Sequence, residues 1–178
     1  MNGYIDFRTK NCKYLSLYIH HDAQFNDLLA ILKEIKLPKT SVDHEQIMFS
    51  LLELINNSLR AHREKQISED IYLQFAIDKN KLKIAVEDKG GGFDPSALPY
   101  NLDSDISEID LHDKKFQTYR EKNGYKRFGM GIFITKKTFN HFRLFFLDNN
   151  GKESLWAPGK VKSTRIEMGA YLQGGGDD

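Results

Sequence analysis

Two stretches of the chain alternate apolar and polar residues with a period of two, IYLQFAI and KLKIAVE, separated only by Asp78-Lys79-Asn80. Alternation of this kind predicts two half-buried strands, and the short polar break predicts a hairpin. Upstream, YLSLYI (Tyr14–Ile19) reads as a first strand. In AQFNDLLAILKEIKL the apolar positions Phe25, Leu28, Leu29, Leu32 and Ile35 recur at helical spacing, which predicts a helix ending near Pro38. SVDHEQIMFSLLELINNSLRAHREK predicts a longer helix with Ser41 or Asp43 at its N-cap. Downstream, MGIFITKKTFNHF predicts a helix opened by glycines, RLFFLD and KESLW a strand and turn around Asn149-Asn150-Gly151, and VKSTRIEM a last strand.

Strands joined mostly as hairpins, with helices grouped rather than alternating, predict an α+β fold. The sheet should be mainly antiparallel or mixed, with helices on one face, in a two-layer α/β sandwich. Residues 1–13 are read as an N-terminal extension, 14–170 as the domain and 171–178 as a flexible tail. Residues 96–127 are polar with little periodicity, the pattern of a functional lid or a disordered insert.

Composition narrows the class. The chain has 178 residues, enough for one sizeable core, and Lys+Arg (26) balances Asp+Glu (25). No basic field argues for nucleic acid or an anionic membrane surface. A single cysteine, Cys12, excludes a disulfide framework and suits a reducing compartment. The first residues lack the apolar core of a secretory signal, and no apolar run is long enough to span a bilayer. These features lead us to expect a soluble cytoplasmic protein.

Three stretches carry candidate chemistry. In Asp88-Lys89-Gly90-Gly91-Gly92 a strand ends in an acceptor-only carboxylate, and Gly90 and Gly92 allow positive φ and close approach to a ligand. Such a carboxylate can accept from an exocyclic amine, such as N6 of adenine; the plainer alternative is a glycine turn with a solvated Asp. On the long helix, Gln46, Ser50, Glu53, Asn57, Arg60 and Glu64 form a polar stripe opposite Ile47, Leu51, Leu54 and Ile55. An amphipathic helix shows such a stripe to water. If it faces a nucleotide instead, Asn57 offers a carbonyl oxygen to Mg²⁺ and Glu53 a base for an attacking hydroxyl. In Arg127-Phe128-Gly129-Met130-Gly131, glycines just before a helix expose N–H groups to an anion such as phosphate, or else form a hinge.

Taken in order, Glu53-Leu54-Ile55-Asn56-Asn57, Asp88-Lys89-Gly90-Gly91-Gly92 and Gly129-Met130-Gly131 resemble the N box and two glycine boxes of the GHKL ATPase superfamily. The resemblance runs from about Tyr14 to Met168. It implies an ATP-binding (Bergerat) fold with ATP and Mg²⁺ as cofactors. Asp88 would contact the adenine amine, and Thr164 would stand where the family has a late Thr near the base. A lid would cover about residues 94–128, and Arg127 and Lys126, then Lys122 and Arg120, would reach toward phosphate. Lacking a substrate-histidine hairpin before the N box, and further domains, the chain looks most like the bacterial anti-sigma-factor serine/threonine kinases. That branch implies a regulatory kinase that phosphorylates a Ser or Thr of an anti-anti-sigma (STAS-type) partner and sequesters a sigma factor or other effector, with homodimerisation left open. A nucleotide-gated binding module without transfer, and the catalytic subunit of a split histidine kinase, remain alternatives. His62 is expected as a partly exposed helix-end residue without a role, and residues 149–161 as an extra hairpin.

Overall fold

The computed structural model describes residues 3–110, 112–122 and 130–173. Its frame is a six-stranded sheet of β3 (Tyr14–Ile19), β5 (Ile71–Asp78), β6 (Lys81–Asp88), β7 (His141–Leu147), β8 (Glu153–Ser154) and β9 (Ser163–Tyr171). The spatial order is β3-β5-β6-β9-β7-β8, and every ladder is antiparallel. The expected hairpin forms with Lys79 and Asn80 as its loop, so Leu73 faces Val86 and Phe75 faces Ile84.

Period-two alternation sends Leu73, Phe75, Leu82, Ile84, Val86, Ile166 and Met168 to one face, and all are buried. Against that face lie α1 (Phe25–Lys33), α2 (His44–Lys65) and α4 (Met130–Thr138), contributing Leu28, Leu32, Ile47, Leu51, Leu54, Ile55, Leu59 and Ile132 to one continuous core. The result is the two-layer α+β sandwich expected from the order of elements. The opposite face is polar, with Arg165 of β9 paired to Glu87 on the neighbouring β6 and to Glu167 two residues along its own strand.

Three segments differ from the sequence reading. Residues 1–13 supply β1 (Ile5–Phe7) and β2 (Lys10–Cys12), with Ile5 fully buried. The turn between them is made by Arg8 and Thr9 at φ 46° and 70°, so no glycine marks it. The first helix stops at Lys33; Ile35 and Lys36 form β4, which pairs with β1 in a second, three-stranded sheet. At the other end Tyr171 closes β9, and Leu172 and Gln173 donate backbone hydrogen bonds to Asn80 and Lys39.

The stretch expected as an open lid also holds structure where it is described. Short 3-10 turns at Pro95–Ala97 and Ile106–Glu108 are each started by an Asp side chain, Asp94 or Asp105, that accepts the N–H two residues on. A helix, α3 (Lys114–Lys122), follows. Leu98, Tyr100 and Phe116 then pack with Phe133 of α4 into a second small core, and Lys136 of α4 donates to the carbonyls of Leu102 and Ser104.

Leu51 is fully buried at the centre of α2. Leu51→Ala is expected to cost about 2–5 kcal/mol of folding stability, read as a fall in the urea midpoint without a change of slope.

Candidate functional site

The inward face of β6 runs Leu82, Ile84, Val86 and then Asp88. Period two thus puts a carboxylate on the side that meets the helices, where the register pairs it with Thr164 of β9, itself buried and next to Phe146 of β7. Asp88 Oδ2 accepts from the Ser58 hydroxyl of α2 at 2.9 Å, and Oδ1 accepts the Gly90 N–H at 2.7 Å. Each oxygen keeps acceptor capacity beyond these bonds. Burial pushes the Asp88 carboxyl above its ordinary range; the Gly90 N–H, the Ser58 hydroxyl and the Lys65 charge pull the other way without cancelling it.

A cavity of about 110 Å³ opens over this carboxylate. Leu54, Leu98, Ile132 and Ile166 give it apolar walls, while Asp88, Thr164, Ser58, Asn57 and Arg60 supply polar groups. Drug-sized ligands fill roughly 300–1,000 Å³, so this space suits a single flat ring system with the rest of the ligand outside.

The glycines after Asp88 divide their tasks. Gly91 and Gly92 have φ of 72° and 70°, a region that L side chains avoid, whereas Gly90 does not. Gly90 is needed instead for closeness: a Cβ there would lie 2.8 Å from Asp88 Oδ1 and 3.3 Å from Ala61 of α2. A Cβ on Gly92 would meet Phe146, Trp156 and Val161 at 3.0 Å each, so part of the 149–161 segment backs the glycine turn. Within that segment, β8 pairs with β7 as a hairpin.

The polar stripe of α2 is not uniformly wet. Gln46 and Glu64 are exposed, Ser50 is buried, and Glu53, Asn57 and Arg60 are half-covered, the first two by the start of α4. A Cβ on Gly131 would lie 3.0 Å from Glu53 Cβ, 3.1 Å from its Oε2 and 3.3 Å from Asn57 Nδ2. The missing side chain therefore lets the N-terminal turn of α4 sit against this pair, an electrostatically favourable place for a carboxylate. Asn57 Oδ1 accepts from Arg60 Nη2 at 3.1 Å.

The fold thus gathers Asn57, Asp88, Gly90, Gly92 and Thr164 around one cavity, with Glu53 and Gly131 adjoining Asn57. Met130 opens α4 but packs on the Leu98–Phe116–Phe133 cluster. Arg127, Gly129 and Lys126 lie outside the described residues. Lys122 and Arg120 are on α3.

Ser58, His62 and Lys65 had drawn no functional reading. They follow one another at helical spacing along the edge of α2 that faces the glycine turn. Lys65 Nζ donates to the Gly90 and Gly92 carbonyls. His62 is fully buried, not partly exposed. Its Nε2 accepts the Lys89 N–H at 3.0 Å, so Nδ1 carries the ring hydrogen toward the Glu69 carbonyl, also at 3.0 Å. The signal for these three residues was their shared helix face; the partners that give it meaning are distant in sequence.

The donor set fits an adenine nucleotide with magnesium. A buried carboxylate with spare lone pairs suits the base amine, apolar walls suit its faces, and the Asn57 carbonyl suits a hard cation that retains water. A family model described as a histidine kinase-like ATPase domain matches residues 23–154, well over half of the chain. No curated protein matches the chain significantly. Among the described residues no helix is long and apolar enough to cross a membrane.

Because the folded Asp88 holds its proton more tightly than the ordinary value of 3.8, ionising it costs stability as pH rises from there through the folded value. Asp88→Asn keeps the Gly90 and Ser58 bonds, with the amide donating to Ser58, and removes that cost. The variant's melting temperature is expected to gain on wild type as pH rises above the ordinary carboxylate value of 3.8, while its ATP affinity falls. A difference that stays constant with pH would contradict the assignment.

Proposed function

The chain belongs to the family of histidine kinase-like ATPase domains, and from that premise we propose that it is a cytoplasmic Mg·ATP-dependent protein serine/threonine kinase with a regulatory role. Its substrate is a Ser or Thr of a small anti-anti-sigma (STAS-type) partner, and it sequesters a sigma factor or other effector. The observation that supports transfer chemistry, beyond binding, is the packing of Glu53 and Asn57 against Gly131 beside the Asp88 cavity. A module that only holds a nucleotide has no need of a carboxylate at that place.

The residues divide the work by position. Asp88 accepts the adenine amine, and the walls of the cavity hold the ring faces. The N–H groups at the start of α4 face the negative charge of the phosphates. Asn57 would hold Mg²⁺, which would supply positive charge against the phosphates. Arg60, now bonded to the Asn57 carbonyl, must give up or share that contact for Asn57 to serve the ion. Glu53 takes the proton of the partner's hydroxyl as its oxygen bonds to the γ-phosphorus. The bond from that phosphorus to the β,γ-bridging oxygen breaks, and ADP leaves. The protein contributes chiefly position and charge, as phosphoryl transfer requires.

Glu53→Gln is the discriminating change, since it preserves shape and removes the base. ATP titration should give an affinity near wild type, while transfer from labelled ATP to the co-purified partner falls by about 10²–10⁴-fold. The transferred label should survive acid. Full transfer in the variant would refute the role of Glu53, and an acid-labile product would shift the acceptor to histidine.

A further inference from the structure

Away from the nucleotide cavity, the paired ends of β3 and β5 carry a second group of chemistry-bearing side chains. Ile19 and Ile71 form the last rung of that ladder. The next residues outward are His20 on one strand and Asp70 on the other, with His21 following. One ring nitrogen from each histidine and a carboxylate oxygen of Asp70 all lie within 4.8 Å of one another. The two rings lie with centroids 4.2 Å apart.

The tautomer of His21 gives this grouping a direction. Its Nε2 lies 3.5 Å from Asp22 Oδ2, which favours the ring hydrogen on Nε2. Nδ1 is then a bare lone pair, and it is buried without a hydrogen-bond partner. A buried acceptor left unmatched is costly, and a metal ion is a partner that would satisfy it. A carboxylate on the far nitrogen of a ligating imidazole is the usual outer support for such a bond. The His20 Nδ1 accepts the Asp22 N–H at a long 3.3 Å, a contact weak enough to yield.

We propose that His20, His21 and Asp70 form a binding site for a divalent transition metal of the zinc class. Two imidazoles and one carboxylate, with a remaining position for water, form a donor set for such ions; Mg²⁺ and Ca²⁺ take oxygen ligands instead. The ion ties the end of β3 to the segment 66–70 between α2 and β5. That segment contains Glu69, whose carbonyl holds His62 and through it the Lys89 N–H beside Asp88. Metal binding therefore braces the back of the nucleotide cavity from outside it.

The test uses the full chain without nucleotide, titrated with Zn²⁺ by calorimetry and followed by melting temperature, with Co²⁺ as a spectroscopic probe. One ion per chain is expected to bind, with a rise in melting temperature and tetrahedral Co²⁺ bands. His21→Ala, at a half-buried position, and Asp70→Asn, at an exposed one, should each weaken binding at least tenfold and remove the rise in melting temperature. Absence of Zn²⁺ binding, unchanged affinity in both variants, or an equal stabilisation by Mg²⁺ would overturn the proposal.

Discussion

A carboxylate on the apolar face of a strand is the constraint around which this molecule is arranged. Asp88 continues the inward row of Leu82, Ile84 and Val86, so it is desolvated by the same alternation that builds the core. Such a group persists only when donors meet it. Ser58 comes from a helix and the Gly90 N–H from the strand's own exit. Both sources explain neighbouring features. Gly90 must lack a side chain for its backbone to lie against Ala61, and the turn that follows uses the left-handed φ of Gly91 and Gly92.

The long helix α2 links this constraint to the rest of the site. Its apolar face closes the core over β5 and β6. One flank presents Ser58, His62 and Lys65 to Asp88, the Lys89 amide and the glycine carbonyls. Another presents Glu53 and Asn57 to the start of α4, where Gly131 makes the approach possible. Because all three faces belong to one helix, the surroundings of Asp88 and the Glu53–Asn57 pair are held in fixed relation. From α4 the contact passes to residues 98–116 through Phe133, Tyr100 and Phe116. A ligand at the helix start thereby has a packed route to the residues around α3.

Much of this was legible because it is local. The β5–β6 hairpin, the amphipathic α2 and the end of β6 at Asp88 follow from periods of two and 3.6 along short stretches. Even the inward direction of Asp88 can be counted from Leu82. What is not legible either lacks a compositional mark or depends on partners elsewhere in the chain. The β1–β2 turn uses Arg8 and Thr9 rather than a glycine, so nothing in its composition announces it. Ile35 looked like one more helical apolar position until β1 supplied a strand for it. His62 resembled an ordinary helix-end residue, since its partners come from Glu69 and Lys89 on either side of a hairpin. Residues 96–127 show no period because the residues that anchor them, Tyr100 and Phe116 against Phe133 of α4, are too widely spaced.

The central claim is that Asp88 recognises an exocyclic amine on a purine. It is tested most directly by calorimetric titration of the wild-type chain with ATP and, in parallel, with inosine triphosphate, which differs in carrying a carbonyl where adenine carries the amine. The account predicts that ATP binds and that the inosine nucleotide binds far more weakly, since its carbonyl oxygen would face a carboxylate with no donor between them. Equal affinity for the two nucleotides would contradict it.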